Sequence, residues 1–375
     1  MISSYLKAVG IMGRAMLAGR AHYMILHVNS VCNARCRMCF NWDDMSSRRN
    51  HKGLAVEQLA KLAQSMKPLP QLTLSGGEPL LRNDLDEIIA NFYDKASTRF
   101  FTVPTNALLP EKAGALAESF LHRSPHAFLN FCLPFHGVDD RFDDILGVPG
   151  AFEKFRQTVE VIRAKRKKAS NISCTLNFVM SKFNFSQWRS IIDAAQAQYP
   201  DAALGIAYAR GHTHEPDAVD VPVAEYQAAQ EYLASFTKKK GRNPFVLVHT
   251  AIGRQICAVV AGVAGGQIKN LGCGAGRRIL VVYDDGSVYP CEMLELMFKT
   301  QKPEDQRALD TVRLGRLPDH DFDMNALLAT DHARNVVQWI RSHDCACTWE
   351  CAIYNKIINS PKEMAKLGIR VAKRV

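Results

Sequence analysis

Between Ala21 and Arg210 the chain alternates short apolar runs with segments in which apolar residues recur at helical spacing. The run Tyr23–Val28 predicts a strand, and the repeat from Leu54 to Met66 predicts a helix. About six such strand–helix repeats predict a parallel sheet with right-handed crossovers. Curled, this sheet gives an α/β fold, a partial (β/α)6 TIM-like barrel, with its chemistry at the C-terminal ends of the strands.

The pattern changes after residues 211–216, a turn that contains Gly, His and Pro. Val223–Phe236 predicts a helix, and a second apolar segment runs from Val246 to Val263. Asp284-Asp285-Gly286, between two β-type runs, predicts a hairpin. We therefore divide the chain into an N-terminal helix at 1–21, the barrel at 22–217, and bridging helices with a smaller C-terminal α+β module at 218–375.

Both ends of the chain predict basic amphipathic helices. One N-terminal stripe comprises Tyr5, Leu6, Val9, Met12, Met16 and Leu17. The C-terminal stripe comprises Met364, Leu367, Val371 and Val375. Such helices are typical of a protein that works at a membrane surface, and they equally fit helices whose apolar faces pack on the barrel.

The composition is that of an ordinary globular protein, with 47% hydrophobic and 22% charged residues. Eleven cysteines, grouped at metal-ligand spacings in a chain of 375 residues, favour a reducing compartment over disulfides. We find no signal peptide and no run that approaches the ~18 apolar residues of a membrane span. We expect a cytoplasmic protein with a peripheral contact at the inner membrane surface. The net charge of +10 favours an anionic partner or a solvated basic face.

Three cysteines, Cys32, Cys36 and Cys39, follow the first predicted strand at C-x3-C-x2-C spacing. A 4Fe–4S cluster normally takes four thiolates, one per iron, so three thiolates leave one iron open for a ligand that is not protein. Buried core cysteines are one alternative, but such cysteines have no reason to cluster in a polar loop. A zinc knuckle is the other, although no fourth ligand follows close by in sequence.

A second motif, Ser75-Gly-Gly-Glu-Pro79, follows the second predicted strand. Gly76 and Gly77 let the backbone approach a ligand closely, and Glu78 can accept hydrogen bonds from an ammonium group. A simple strand-to-helix turn is the alternative. Because the motif comes one βα unit after the cysteines, both are expected at the same edge of the sheet.

These two motifs, with Phe40 directly after the third cysteine, resemble the radical S-adenosylmethionine superfamily over residues 22–210. The resemblance implies that Cys32, Cys36 and Cys39 hold a 4Fe–4S cluster whose open iron is chelated by S-adenosylmethionine. One electron from the reduced cluster, supplied by a donor such as flavodoxin or ferredoxin, then cleaves the sulfonium. The products are methionine and a 5′-deoxyadenosyl radical that abstracts a substrate hydrogen. The cofactor-binding residues implied by the resemblance are Phe40, Gly76, Gly77, Glu78, Pro79, Thr105 and Asn106.

The chain departs from the family pattern after the fourth strand. Pro134 and His136 replace the family's usual Ser and Asp, and Leu146 replaces its usual Arg. Contacts to the cofactor's ribose or carboxylate are therefore not carried over to these positions. His136 either faces the substrate or is a structural histidine. The catalytic candidates are His136 and, by their position at the last barrel strand, Tyr208 and Arg210.

A second cysteine group lies in the C-terminal third. The predicted hairpin should bring Cys273 and Cys291 together, and a late group follows at Cys345, Cys347 and Cys351. This pattern resembles the SPASM module or its shortened form, twitch. The resemblance implies one auxiliary 4Fe–4S cluster on Cys273, Cys291, Cys351 and either Cys345 or Cys347; a structural zinc site is the alternative. The cysteines expected in the core are Cys132, Cys174 and Cys257.

An auxiliary cluster favours net oxidation, because it can accept the electron of a substrate radical or bind the substrate. The family commonly acts on peptides, whereas the amphipathic termini favour a lipid or small anionic substrate. We therefore expect a radical S-adenosylmethionine enzyme that oxidatively modifies a peptide or protein, or a lipid or small molecule. The alternative from another class is a non-catalytic zinc or iron–sulfur module for nucleic acid. That class predicts aromatic residues interleaved with Lys and Arg; the sequence shows no such run, and we expect no nucleic-acid partner.

Overall fold

The computed structural model describes residues 2–47, 53–239, 244–295 and 312–372. The strands of the described chain are β1 Tyr23–His27, β2 Gln71–Ser75, β3 Phe100–Pro104, β4 Phe128–Pro134, β5 Ile172–Met180, β6 Ala203–Tyr208, β7 Ile279–Val282, β8 Ser287–Tyr289 and β9 Gly315–Arg316. The first helices are α1 Ile2–Leu17, α2 Trp42–Ser47, α3 Val56–Ser65, α4 Leu85–Lys95, α5 Pro110–Arg123, α6 Asp139–Leu146, α7 Ala151–Lys168 and α8 Trp188–Gln198. The later helices are α9 Val223–Lys239, α10 Pro244–Ala264, α11 Met324–Leu328, α12 Asp331–Ser342, α13 Glu350–Asn359 and α14 Pro361–Ala372.

The first six strands form the predicted partial barrel. They lie in the order β6-β5-β4-β3-β2-β1, and each neighbouring pair is parallel. A helix returns the chain between successive strands, as the alternating pattern of the sequence indicates. The fold class is therefore confirmed: a mixed α/β fold with a mostly parallel sheet.

The C-terminal hairpin extends this sheet. Strand β7 pairs in parallel with β1, and β8 and β9 continue the sheet in antiparallel register. The predicted turn at Asp284–Gly286 joins β7 to β8, with Val282 opposite Val288. Segments 218–375 and 22–217 thus share one nine-stranded sheet, which carries the second cysteine group to the side of β1.

An aromatic cluster fixes the helices beside the end of β4. Phe135 packs against Phe155 and Tyr199, and Phe142 packs against Phe152 and Phe155, with ring centroids between 5.2 and 5.9 Å apart. Aromatic pairs at these separations add to the free energy gained by burial. The cluster holds α6 in place, and α6 ends next to the cysteine loop.

Helix α13 bridges the first and sixth strands. At its start, Glu350 accepts a hydrogen bond from the backbone N–H of Tyr208 at the end of β6 (2.9 Å). On the other side, Tyr23 of β1 donates a hydrogen bond to the Cys351 thiol (3.8 Å). Asn355, one turn later, contacts His22 just before β1 (3.2 Å). The helix therefore lies across the open side of the partial barrel.

The terminal helices are only partly buried. Tyr5 on α1 packs against Phe128 at the start of β4 (5.8 Å between ring centroids), while Leu6, Val9 and Leu17 are exposed. On α14, Leu367 is buried and Met364 is exposed; Val375 lies outside the described residues. Part of each predicted stripe therefore packs on the protein, and part faces solvent.

One helix of the described chain is long and apolar enough to cross a membrane by length and composition. This segment is Leu247–Ala264 of α10, which has 18 residues and a mean hydropathy of 1.5. The sequence was expected to contain no segment that could span a membrane, and that expectation was wrong. Polar residues such as Arg254 and Gln255 interrupt the segment, but its mean hydropathy stays high enough for a membrane span. Helix α10 packs against α9, α13 and α14.

Candidate active site

A cavity of about 280 Å³ lies at the C-terminal ends of the barrel strands. It brings together most of the residues selected from the sequence, although these come from loops after five different strands. The predicted residues that line it are Cys32, Cys36, Cys39, Phe40, Gly76, Gly77, Thr105, Asn106, His136, Tyr208 and Arg210. Pro134 and Leu146, which depart from the family pattern, also line it. Glu78 and Pro79 are not among the lining residues.

The two glycines are required by contact between two loops. A Cβ atom on Gly76 would lie 2.2 Å from the carbonyl oxygen of Asn29, and one on Gly77 would lie 2.2 Å from that of Val31. Gly77 N–H also donates to the Asn29 carbonyl (3.0 Å). Any larger side chain would push the loop after β2 away from the segment that leads into Cys32. The glycines therefore position the cysteine loop while also lining the cavity.

Glu78 joins the loops after β2 and β3. Its side chain is 1% exposed, and its two oxygens accept hydrogen bonds from the backbone N–H groups of Leu80 (2.9 Å) and Asn106 (2.7 Å). Burial raises the pKa of this carboxyl group to about 7, while these N–H donors and the Thr105 side chain oppose the shift. The carboxylate thus lies behind the cavity wall, and its predicted contact with an ammonium group stays a prediction.

Asn106 connects this network to the first cysteine. Its side-chain amide donates to Asn33 Oδ1 (2.7 Å) and to Cys32 Sγ (3.7 Å). The Ala34 backbone N–H also points at Cys32 Sγ (3.4 Å). Hydrogen bonds to a thiolate stabilise its charge, and such bonds tune the potential of an iron–sulfur cluster.

The opposite side of the cysteine loop is held by α6 and by the segment after β6. Arg35 and Arg37 donate their backbone N–H groups to the carbonyls of Leu146 and Ile145 (2.9 and 3.0 Å). The Arg37 side chain pairs with Glu215 (2.7 Å). The loop is therefore anchored on both sides before any ligand binds.

The donor set fits a cluster with three thiolate ligands. The thiols of Cys32, Cys36 and Cys39 line one cavity, and the other cysteine in its wall, Cys132, lies on β4 rather than in the cysteine loop. Burial raises the pKa of Cys36 well above its usual value, and the nearby thiols of Cys39 and Cys32 raise it further. Burial likewise raises the pKa of Cys39 to about 12. These thiols are therefore protonated at neutral pH, and a bound cationic metal centre would favour their thiolate form.

A single metal ion is not what this arrangement resembles. Within the described ranges, no three side chains of His, Cys, Asp or Glu converge as the ligands of one ion do. The fit to a larger group rests on the shared cavity and on the three thiols around it.

His136 is a fixed, neutral side chain at the cavity wall. It is buried, and its Nδ1 atom accepts a hydrogen bond from the Val179 backbone N–H (3.2 Å), which leaves the proton on Nε2. Burial lowers the pKa of the imidazole to about 4. His136 can therefore offer an N–H donor to a ligand at neutral pH, but it is not an imidazolium acid.

Cys132 was wrongly expected in the core. It lies on β4 and lines the cavity, whereas Cys174 and Cys257 are buried as predicted. Burial raises the pKa of Cys132 to about 11, so its thiol is neutral. Parallel strands are apolar on both faces, and hydrophobicity alone does not tell which face a residue takes. The polar Asn130, two positions earlier on the same face, was the available signal.

Arg210 lies where the first cavity meets a second one. It pairs with Glu350 at the start of α13, and its guanidinium lies 5.7 Å from the centre of the Phe40 ring. The second cavity, of about 690 Å³, shares Tyr208, Ala209 and Arg210 with the first. Cys347 of the second cysteine group lines it as well. The cavity in front of the cysteine triad therefore adjoins a cavity that reaches Cys347.

Of the C-terminal cysteines, Cys273 and Cys291 lie near each other, as the predicted hairpin requires. The backbone N–H of Gly276 donates to the Pro290 carbonyl (3.2 Å), which joins the two segments. Burial raises the pKa of Cys291 well above its usual value, and Cys347, Cys345 and Cys273 each raise it further.

Cys351 has other charged neighbours than Cys291. Burial raises the pKa of Cys351 to about 12; the charge of Glu292 raises it further, and that of Arg210 lowers it. Cys273, Cys291, Cys345 and Cys347 thus lie near one another, while Cys351 shares the neighbours Arg210 and Glu350 with Cys347. The choice between Cys345 and Cys347 stays open.

The sequence did not predict a buried contact between a histidine and a glutamate that lies between the two cysteine groups. His27 Nε2, at the end of β1, lies 3.1 Å from Glu292 Oε1, directly after Cys291, and the side chains are 4% and 6% exposed. The imidazole also packs on the Tyr283 ring (4.5 Å between centroids). No local motif marks this contact, because the two residues are far apart in sequence and meet only through the β1–β7 pairing.

Comparisons with known proteins agree with this geometry. Residues 26–195 match the model of the radical SAM superfamily. The GTP 3′,8-cyclase of Alkaliphilus oremlandii is 29% identical over 107 residues, which cover 28% of this chain and 33% of the relative. That of Stenotrophomonas maltophilia is 36% identical over 93 residues, which cover 24% and 28%. The chain thus aligns with about one third of these relatives' length.

Two solved structures share the fold over most of the chain. Streptococcus suis SuiB superposes with a TM-score of 0.59 at 14% identity, covering 88% of this chain and 71% of SuiB. The enzyme anSMEcpe with bound AdoMet gives a TM-score of 0.56 at 16% identity, covering 94% and 97%. Each of the two has also been solved with a peptide, the precursor SuiA and the Cp18Cys peptide. Residues 26–195 of this chain are therefore a radical SAM domain, of the superfamily whose cofactors are a 4Fe–4S cluster and S-adenosylmethionine.

Proposed function

We propose that this protein is a radical S-adenosylmethionine enzyme that oxidatively modifies a peptide or protein substrate, with one auxiliary 4Fe–4S cluster. The observation that carries the proposal is that two cavities share Tyr208, Ala209 and Arg210 at the end of β6; the first is lined by the triad Cys32, Cys36 and Cys39, and the second by Cys347. A substrate in this space would lie between a hydrogen-abstracting centre and an electron acceptor. That arrangement suits net oxidation.

The first cluster would be held by Cys32, Cys36 and Cys39, and S-adenosylmethionine by the residues around Gly76, Gly77 and Asn106. When bound, these cofactors supply hydrogen-atom abstraction by a 5′-deoxyadenosyl radical. The chain contributes rigid positioning: the glycine contacts and Glu78 fix the cysteine loop before cofactors arrive.

His136 Nε2–H is available as a neutral donor towards the cavity. Arg210 contributes a permanent positive charge at the junction of the cavities, with Glu350 as its partner.

A peptide substrate is supported by the volume of the second cavity, about 690 Å³, and by the three residues that it shares with the first cavity. An extended chain can pass through such a groove while one side chain reaches the first cavity. The peptides bound to SuiB and anSMEcpe are consistent with this reading of a shared fold. The alternative substrate class, a lipid or small molecule, is favoured by the exposed apolar residues Leu6, Val9 and Leu17 on α1.

We also place the enzyme in the cytoplasm, where a flavodoxin or ferredoxin would reduce the first cluster. A peripheral contact with the inner membrane surface through α1 and α14 is part of the same proposal. Nothing in it requires nucleic acid.

Deuterium transfer distinguishes the substrate classes. Cells of the source organism are grown in deuterated medium, and their peptide fraction and lipid fraction are offered separately to the reconstituted enzyme. We expect deuterium in 5′-deoxyadenosine with the peptide fraction only, measured by mass spectrometry, and none with the Cys36→Ala variant. Transfer from the lipid fraction alone would overturn the peptide assignment in favour of the lipid alternative.

A further inference from the structure

A third cavity, which is strongly basic, lies at the N-terminal ends of the strands. It has a volume of about 370 Å³, and its wall includes Arg20, Lys67, Arg277, Arg334 and Arg341. Its remaining lining residues carry no carboxylate. The radical site and the cavity beside it use none of these residues.

The position of this basic cavity follows from the strands. Ala21, Pro68 and Gly276 lie in its wall and come just before β1, β2 and β7, at the N-terminal edge of the sheet. The radical cavity lies at the C-terminal edge of the same strands. Five residues of β1 separate the two edges, a distance of roughly 16 Å at ~3.3 Å per residue.

Helix α12 supplies one wall. Arg334, Gln338 and Arg341 recur at helical spacing, so they share the face that lines the basic cavity. The helix can approach closely because Gly276 has no side chain: a Cβ there would lie 2.8 Å from Val337 Cγ2. Asn325 closes the rim with a hydrogen bond to the Ser65 carbonyl.

The positive charge in this wall is poorly compensated. In the described part of the chain, Arg334 pairs with Asp331 (3.5 Å, both exposed), and Arg20, Lys67, Arg277 and Arg341 have no carboxylate partner. Burial lowers the pKa of Arg278 behind the wall, and the charge of Arg277 lowers it further. Like charges around a small concave space repel one another, and a bound anion relieves that repulsion.

From this arrangement we propose that the basic cavity binds a phosphate-bearing ligand, separately from the radical chemistry. Guanidinium groups match the oxygens of a phosphate in pairs, and four of the five cations are arginines. The volume suits a small, multiply charged group such as a diphosphate. The phosphate belongs either to a soluble ester or to a lipid head group. The lipid head group is considered because the exposed Leu17 lies three residues before Arg20.

Binding of pyrophosphate tests the site directly. Calorimetry on the reconstituted full chain should show saturable binding, and Arg277→Gln/Arg341→Gln should weaken it about tenfold or more, since each lost charge-assisted pair is a strong contact. The matched control is Lys154→Gln/Arg316→Gln, which removes the same charge from exposed positions away from the basic cavity. The control should bind like the wild type.

Vesicles separate the two sources of phosphate. The same proteins are sedimented with phosphatidylcholine vesicles with and without phosphatidic acid. Vesicle binding lost only in Arg277→Gln/Arg341→Gln assigns the cavity to a lipid head group; pyrophosphate binding without vesicle binding assigns it to a soluble ester.

Three results would overturn the proposal: no saturable binding in either assay, equal losses in both double variants, or tighter binding of citrate than of pyrophosphate. Formation of 5′-deoxyadenosine, measured in parallel, should be unchanged in all variants, so this test is independent of the proposed function.

Discussion

At the residue scale, the radical site depends on small contacts that hold one loop. Gly76 and Gly77 permit backbone packing at Asn29 and Val31, and Glu78 ties that loop to Asn106. The sequence could identify these residues by motif, but it assigned the glycines to ligand approach. The structure adds the physical reason, which is a backbone contact too close for any Cβ.

The first prediction concerns Gly77→Ala. The added methyl group would meet the Val31 carbonyl at 2.2 Å, so the cysteine loop must shift. We expect about four fewer irons per chain after reconstitution, because a 4Fe–4S cluster would be lost from the first site. Gly205→Ala is the control, since the nearest atom to its Cβ lies 3.9 Å away. Equal iron content in the two variants would contradict the role given to Gly77.

The second prediction concerns the pH dependence of stability from His136. Its pKa in the folded protein, about 4, lies below the unfolded value of 6.5, so the unfolded chain binds the extra proton. The neutral imidazole therefore stabilises the fold above pH 6.5, and this contribution is lost as the pH falls through 4. His136→Asn keeps an acceptor for the Val179 N–H but does not titrate.

Urea unfolding of both proteins at several pH values measures this effect. Between neutral pH and pH 4 the wild type should lose roughly 3 kcal/mol more than His136→Asn, from about 1.4 kcal/mol per pKa unit. Parallel losses in the two proteins would show that His136 is protonated as easily in the folded state as in the unfolded one.

At the element scale, α13 decides how the two cysteine groups meet. Its first residues contact β6 through Glu350 and β1 through Cys351. The strands and helices of the barrel follow from local periodicity, and the sequence placed them well. Local periodicity does not predict the path of α13 across the open barrel, because that path depends on contacts with residues hundreds of positions away, Tyr23 and His22 among them.

The third prediction follows from the partly buried Arg210–Glu350 pair. Glu350→Ala leaves the guanidinium without its carboxylate, and we expect a loss of about 3 kcal/mol in the free energy of unfolding. The double variant Arg210→Met/Glu350→Leu should lose less free energy of unfolding than the sum of the losses in Arg210→Met and Glu350→Leu. Arg156→Ala, in an exposed pair with Glu153, should cost less than about 1 kcal/mol. A loss in the double variant equal to the sum of the two single losses would mean that Arg210 and Glu350 do not stabilise each other.

At the scale of the whole molecule, one sheet positions two separate cavities and the C-terminal cysteine group. The radical cavity lies at one edge, the auxiliary cysteines lie beside β7 and β8, and the basic cavity lies at the opposite edge. The cysteine spacings drew attention to the first two of these regions, and their assignment as iron–sulfur sites stays a prediction. The basic cavity combines cations from four separated segments, which only the tertiary fold brings together.

The central claim, a radical S-adenosylmethionine enzyme with two clusters, is tested most directly by anaerobic reconstitution with iron and sulfide. Iron is counted, dithionite and S-adenosylmethionine are added, and 5′-deoxyadenosine is assayed. We expect about eight irons per chain, about four in Cys291→Ala, and no 5′-deoxyadenosine from Cys36→Ala. Tightly bound zinc with no cleavage of S-adenosylmethionine would contradict it and support a non-catalytic metal-binding protein instead.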